Sequence, residues 1–319
     1  MCATGRVCEP DSMAPRRILV TGASGFVGRH LTLALHAAFP HALVLTDPFD
    51  ICDATSVISA VQAAAPDACV HLAAISSVAA AREDEEHAWR VNLHGTLSLA
   101  RAILQHAPEC SLVFASTADA YGGTSGSINE ATPLAPRSVY AATKAAADLA
   151  LGAMAGEGLR MICIRPFNHT GSGQSPGFVV PAFARQIARI AAGTQPPVME
   201  VGNLDTWRDF LDVRDVCTAY IAAIERRAAL SPGVILNVGS GMARRVGDVL
   251  AELMTLAGVT AEVRSVVARV RLGETGRTWA DTTRARAVLG WVPSVPWSAT
   301  LHAVLEDWQE RTTLGRDEI

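Results

Sequence analysis

Tyr140 and Lys144 stand four residues apart in the run Ser-Val-Tyr-Ala-Ala-Thr-Lys. The stretch after them, Ala145 to Leu151, is alanine-rich and free of Gly and Pro, so it is predicted to be helical. Residues i and i+4 share one helix face. An ammonium beside a phenol favours the phenolate and lowers the tyrosine pKa toward the working pH. That chemistry suits a general acid or base acting on a sugar or alcohol hydroxyl. A surface Tyr and Lys that are neighbours by chance would share the spacing, and two further features argue against chance.

The first is Arg17-Ile-Leu-Val-Thr21, a β-branched run predicted to be a buried strand. It leads into Gly22-Ala-Ser-Gly25-Phe-Val-Gly28 and a helical stretch from Arg29 to Ala38. Glycines here let the backbone approach a pyrophosphate seated on the helix N-terminus. A tight strand-to-helix turn needs glycine in any case, and the flanking strand and helix supply the context. The second is Val113-Phe-Ala-Ser116-Thr117, an apolar strand ending in two hydroxyl residues. Ligands of a parallel sheet bind beyond the carboxyl ends of its strands. Ser116 and Thr117 are therefore expected to hydrogen-bond a substrate oxygen, or else to cap a turn. The three features together read as a nucleotide-dependent redox site.

The elements that must position these residues alternate up to about residue 165. Candidate strands cover Arg17–Thr21, Ala42–Thr46, Ala68–Leu72, Ser111–Ala115 and Arg160–Arg165, with helical stretches between them. That order predicts an α/β fold with a doubly wound parallel sheet. After Phe167 the pattern becomes irregular: a glycine-rich loop over Gly171 to Gly177, a helix from Pro181 to Ala192, a strand at Val234 to Val238, and a helix from Val246 to Ala257.

With these pieces in view, the chain resembles the extended short-chain dehydrogenase/reductases that act on nucleotide sugars, from Arg16 to about Trp308. The resemblance rests on Thr21-Gly22-Ala-Ser-Gly25-Phe-Val-Gly28, Asp50-Ile51, His71-Leu-Ala-Ala74, Val91-Asn92-Leu-His-Gly95, Ala115-Ser-Thr117, Tyr121-Gly122, Tyr140-x-x-x-Lys144, Arg165-Pro-Phe-Asn-His-Thr-Gly171 and Arg208-Asp-Phe-x-Asp212. The run Pro166 to Arg185 most resembles GDP-4-keto-6-deoxy-D-mannose reductases. The resemblance implies a Rossmann domain over residues 16–166 and a smaller nucleotide-sugar lobe over 167–319, with some segments of the latter returning to the first domain.

It also implies roles. Gly22, Ser24, Gly25, Phe26, Val27 and Gly28 would surround the cofactor pyrophosphate, and Asp50 with Ile51 would meet the adenine. Leu72, Ala73, Ala74, Asn92 and Phe167 would line the rest of the cofactor, together with Tyr140 and Lys144. Tyr140 would protonate the alkoxide formed by hydride transfer to a C4 ketone, Thr117 would bind the same oxygen, and Lys144 would hold the nicotinamide ribose. Ser116, Thr117, Asp119, Asn168, Val180 and Arg208 would bind the GDP-sugar. So would Arg271 and Glu274, where Leu272 stands in place of the family's usual proline. Arg208 has an alternative fate, pairing with Asp209 or Asp212.

Cofactor choice turns on the end of the second strand. Asp47 there can accept from a ribose 2′-hydroxyl and repel a 2′-phosphate, or simply form a turn before Pro48. No arginine follows that strand to clamp a 2′-phosphate. NAD(H) is therefore favoured, with NADP(H) as the alternative. Among other reactions, a 4,6-dehydratase would use Thr117 with Asp119, whose side chain is one methylene shorter than the glutamate of such enzymes. A 4-epimerase and a nucleotide-sensing scaffold are the remaining readings, and intact Tyr140 and Lys144 argue against the scaffold.

Composition bounds the rest. The 319 residues are 50% apolar, enough for a sizeable core. A net charge of −4 argues against a nucleic-acid partner, and no apolar run is long enough to span a membrane. Residues 1–15 read as a flexible extension without a signal-peptide core, with Met13 as a candidate start. Seven cysteines form no C-x-x-C pair, so reduced thiols in a cytoplasm are expected, and no metal site. Helical stretches Asp84–Gln105 and Tyr140–Ala155 match those that form a dimer seam in the family, so a homodimer is expected.

Overall fold

The computed structural model describes residues 14–266 and 276–317. Most of the expected N-terminal extension lies outside them, as do Arg271 and Glu274. The first half alternates: β1 (Arg17–Thr21), α1 (Phe26–Ala38), β2 (Leu43–Leu45), α2 (Ala54–Ala64) and β3 (Ala68–His71). Helices α3 (Val78–Glu83), α4 (Glu85–Trp89) and α5 (Thr96–His106) lead to β4 (Ser111–Ala115). Then come β5 (Gly126–Ile128), α6 (Val139–Gly156), β6 (Met161–Pro166) and β7 (Asn168–Thr170). The second half holds α7 (Val179–Ala191), β8 (Val198–Val201), β9 (Trp207–Asp212), α8 (Val213–Arg226) and β10 (Val234–Val238). It ends with β11 (Ala243–Arg245), α9 (Val246–Ala257), β12 (Glu262–Ser265), β13 (Thr278–Ala280), α10 (Thr283–Leu289) and α11 (Trp297–Thr313).

Six strands form one parallel sheet in the order β2-β1-β3-β4-β6-β10. Side chains alternate across it as strand geometry demands. Ile18, Val20, Val70, Val113, Ile162 and Ile164 enter one core, while Leu19, Cys69, Leu112, Phe114 and Cys163 enter the other. Both faces are thus covered by helices, the condition under which a parallel sheet is stable. Chain order reverses between β1 and β3, which opens a crevice at the carboxyl ends of these two strands. Helices α8 and α10, though late in sequence, contribute Val216, Tyr220 and Leu289 to the first core.

A separate core forms among α7, α9 and α11, with Phe183, Ile187, Leu250, Leu253, Leu305 and a fully buried Trp308. Here β8 pairs with β12, and β9 lies between β7 and β11.

The helical stretch expected over Asp84–Gln105 is not continuous. A π-helical turn over Arg90–Gly95 separates α4 from α5. The wider turn aims Asn92 inward, where its amide accepts from Ile75 N (2.8 Å) and donates to Ile75 O (3.1 Å) and Thr143 Oγ1 (2.9 Å). Gly95 lets that turn lie against Ile51, whose Cγ1 would be 2.9 Å from any added Cβ. The expected cofactor contact of Asn92 is corrected accordingly: both amide protons are used on protein, and the residue fixes the loop after β3.

Candidate active site

The glycine loop lies in the crevice. Gly22 adopts φ +72°, a left-handed conformation cheap only for glycine. A Cβ on it would stand 2.7 Å from Ala73 N, and one on Gly28 would stand 2.6 Å from Ala23 Cα. Gly25 is the N-cap of α1 and supplies no side-chain acceptor, and no acidic residue occupies the first turn. The leading N–H groups of α1 therefore need an outside acceptor, and the dipole there favours an anion. This cradle fits the pyrophosphate of a dinucleotide. Ser24 is exposed beside it, and the Ser24 carbonyl accepts from Arg29 Nη1 at 2.7 Å. The Phe26 ring stacks on His169 with centroids 6.2 Å apart, so Phe26 also ties α1 to β7. Val27 packs against the first core.

A relay behind the loop locks it to β3. Ala73 N donates to Thr21 Oγ1 (3.2 Å), and Thr21 Oγ1 lies 2.7 Å from His71 Nδ1. His71 Nε2 lies 2.9 Å from Thr96 Oγ1, which donates to Asn92 O at 2.8 Å. Thr96 gives its proton to that carbonyl, so it accepts from His71 Nε2–H. Nδ1 is then the acceptor for the Thr21 hydroxyl. Burial, helped by the Lys144 charge, brings the His71 pKa down to about 3, so the imidazole stays neutral.

Gly22 and the Leu72–Ala73 backbone are thus in contact, with Ala74 following. Ile51 is buried in the second core and Asp50 is exposed, its Oδ1 accepting from Cys52 N at 2.8 Å. Asp47 is exposed just past the end of β2. Phe167 is buried with Tyr121.

Thr117, Tyr140 and Lys144 form the second group. Ser138 caps α6, accepting from Ala141 N at 3.1 Å, so Tyr140 sits in the first helical turn. Thr143 Oγ1 donates to Tyr140 O (2.8 Å) while accepting from Asn92. Thr117 Oγ1 accepts from Asp119 N at 3.1 Å, and its hydroxyl is near enough to the Tyr140 phenol to draw that pKa down.

The expected electrostatics of this pair need correction. Burial and then the Asp119 carboxylate push the Tyr140 pKa up, and the Thr117 hydrogen bond opposes them only in part. Lys144 does not offset this rise. Its Nζ lies 4.2 Å over the Phe114 ring, and burial brings its pKa down to about 8 against the pull of Asp148.

Ser116 is also reassigned. Its hydroxyl donates to Asp148 Oδ2 at 2.7 Å, and the side chain faces the protein interior instead of a substrate oxygen. The same carboxylate takes Arg165 Nε (2.8 Å) and Nη2 (3.1 Å), and Arg165 Nη1 donates to Tyr121 OH at 2.9 Å.

A cavity of about 1060 Å³ opens beside β7, between α7, β8 and β9. Asn168, Val180 and Arg208 line it, as does His169, but Thr117, Tyr140 and Lys144 do not. Arg208 Nη1 donates to Trp207 O at 2.8 Å. Asp209 accepts from Ser240, Gly241 and Ala280, and Asp212 pairs with Arg214 at 2.8 Å. Sequence reasoning missed Gln174, Arg185 and Arg189, which also line the cavity. Two arginines four apart on a largely apolar α7 were the available sign.

A glycine cradle at a topological switch point, with a Tyr–Lys pair and a threonine near the neighbouring strand ends, defines an NAD(P)-dependent short-chain dehydrogenase/reductase of the extended type. The model of the NAD dependent epimerase/dehydratase family matches residues 18–239. GDP-6-deoxy-D-mannose reductase of Pseudomonas aeruginosa is 36% identical over 308 residues, covering 93% of this chain and 98% of that protein. The solved structure of RMD from Pseudomonas aeruginosa complexed with NADPH gives a TM-score of 0.84 at 34% identity, covering 92% of this chain and 99% of that one. UDP-glucose 4-epimerase of Thermus thermophilus in complex with NAD gives 0.80 at 28% identity, covering 92% and 99%. The chain belongs to the NAD dependent epimerase/dehydratase family.

Proposed function

We propose that this protein is a GDP-4-keto-6-deoxy-D-mannose reductase, forming GDP-D-rhamnose or its C4 epimer. The observation that carries the reading is Thr117, just past the end of β4, brought to Tyr140 in the first turn of α6, set apart from a cavity of nucleotide size that Arg208 and Asn168 line. The 36% identity to a GDP-6-deoxy-D-mannose reductase over 93% of the chain supports it.

The nicotinamide cofactor, when bound, supplies a hydride to the ketone carbon. The chain's own residues do the rest. Tyr140 gives its phenolic proton to the C4 oxygen. Its raised pKa means that the phenol carries the proton it must give. Thr117 donates toward the same oxygen and holds developing charge in a site shielded from water. Lys144 carries its ammonium beneath the ribose side of the site, and Arg208 with Asn168 binds the diphosphate, for which a planar guanidinium is well shaped. Asp119, Val180, Arg271 and Glu274 complete the substrate side of this reading, and Phe167 belongs to the cofactor side.

Asp47 is exposed at the end of β2, and we assign NADH as the better reductant on that ground. The protein works in the cytoplasm as a homodimer in this reading. Leu149, 65% exposed on α6, supports an α6-centred seam, and among the described residues no helix is long and apolar enough to cross a membrane. The test is nicotinamide absorbance after mixing protein, NADH and enzymatically prepared GDP-4-keto-6-deoxy-D-mannose. Stoichiometric NADH loss is expected. A keto sugar formed from GDP-mannose with only catalytic cofactor would make the enzyme a dehydratase instead.

A further inference from the structure

Behind the proton-transfer pair lies a charged cluster that touches no solvent. Asp148 and Arg165 are 2% and 3% exposed. Four donors converge on the Asp148 carboxylate: Ser116 Oγ, Cys163 Sγ (3.2 Å), and Arg165 Nε and Nη2. The chain continues from Arg165 to Tyr121, whose hydroxyl donates to Asn237 Oδ1 at 2.7 Å, and from Asn237 Nδ2 to Ile128 O at 2.9 Å. One ion pair thereby joins β4, α6, β6, β10 and β5.

A buried ion pair is weak as a stabiliser, since desolvation offsets most of its attraction, so its placement matters more. Asp148 is one turn beyond Lys144 on α6, and it grips Ser116, the residue preceding Thr117. We infer that Asp148 is a positioning residue for proton transfer: its carboxylate seats the Ser116–Thr117 segment against α6 and supplies negative charge one helical turn from the Lys144 ammonium.

The groups around Lys144 support this. His71 on β3 is neutral. The Cys163 thiol on β6 is pushed well up by burial and by Asp148, so it stays protonated. Arg165 shares the Asp148 charge, yet the carboxylate still pulls the Lys144 pKa upward against burial. Asp148 is the negative charge of this group.

This inference rests on the proposed reductase for its turnover readout, but not for its binding readout. NADH affinity, followed by fluorescence across the pH range with no sugar present, should change with a midpoint near 8 as Lys144 discharges. D148N should move that midpoint down by about one unit, the size expected from losing a nearby opposite charge. The alkaline limb of kcat should move with it. S116A keeps the carboxylate, so its midpoint should stay in place. Its kcat should nonetheless fall about fivefold, with KM unchanged, as Thr117 loses its tether.

A merely structural role would lower Tm and leave the midpoint where it was. A folded D148N with an unmoved midpoint would overturn the inference. Should D148N not fold, S116A decides, because wild-type kcat in S116A would overturn it too. If no sugar is reduced at all but the NADH midpoint shifts as described, the substrate assignment fails and the placing of the Asp148 charge beside Lys144 stands.

Discussion

Two glycine-to-alanine changes in the same molecule should have opposite effects. At Gly28 the added methyl meets backbone at 2.6 Å (Ala23 Cα), and the Gly22 carbonyl oxygen is closer still. Neither neighbour is a flexible side chain, so the loop or the first turn of α1 must shift. Forcing an extra methyl into a packed position costs roughly 1–3 kcal/mol. The strain falls on the N–H groups that receive the pyrophosphate, so NADH affinity should weaken by about tenfold to a hundredfold, at 1.4 kcal/mol per tenfold. At Gly152 on α6, nothing lies within 4 Å of a new Cβ. Within one protomer helix propensity then favours alanine by about 0.8–1 kcal/mol, and a methyl this close to Leu149 also tests the room in an α6 seam. A chain of this size should gain about 2 °C in Tm. Fluorescence titration with NADH and a thermal melt of each variant measure both effects. If Gly28→Ala bound NADH as tightly as the parent protein, the loop would not be the pyrophosphate seat.

Tyr140→Phe should lower turnover by about 10²–10⁴-fold, the usual contribution of a positioned proton donor, with NADH affinity nearly intact; loss of cofactor binding would contradict the assigned role. The three tyrosines, Tyr121, Tyr140 and Tyr220, all have pKa values pushed up by burial. An ultraviolet titration of the unliganded protein should therefore show no tyrosinate below the ordinary value of 10.0 while the fold persists. Asp119→Asn removes a negative charge that opposes phenolate formation, so one of the three should then titrate at lower pH. Asp47→Ala should raise the NADPH-to-NADH ratio of kcat/KM by about tenfold, since a carboxylate that repels a 2′-phosphate would be gone; an unchanged ratio in initial-rate assays would remove Asp47 from the account.

Local chemistry made part of the molecule legible in advance. The strands Arg17–Thr21, Ser111–Ala115 and Val234–Val238 have the expected bounds because their apolar runs are short and end in polar or glycine residues. The helix at Val246–Ala257 likewise has its expected bounds, closing at Gly258 in the left-handed conformation. Other features depend on partners far away in sequence. The π-helical turn at Arg90–Gly95 exists because Asn92 meets Ile75 and Thr143, and nothing in its own composition distinguishes it from α-helix. Ser116 lies one residue from Thr117, and only Asp148, thirty-two positions on, decides that its hydroxyl points inward. The Tyr140 pKa went the other way from expectation because helix spacing speaks of proximity and not of desolvation. The cavity arginines were missed since α7, β8 and β9 become neighbours only after folding.

The Thr21–His71–Thr96 relay has a spectroscopic consequence. Its imidazole N–H is sealed from water, bonded at a fixed nitrogen, and held neutral down to about pH 3. Such a proton exchanges slowly with solvent and gives a resonance in a region of the nuclear magnetic resonance spectrum that few other protons occupy. Its chemical shift would follow the length of the Nε2–Thr96 hydrogen bond, and so the seating of β3 against the turn that holds Asn92. The protein thus carries a built-in reporter of the scaffold behind the dinucleotide seat, one that needs no label, substrate or turnover.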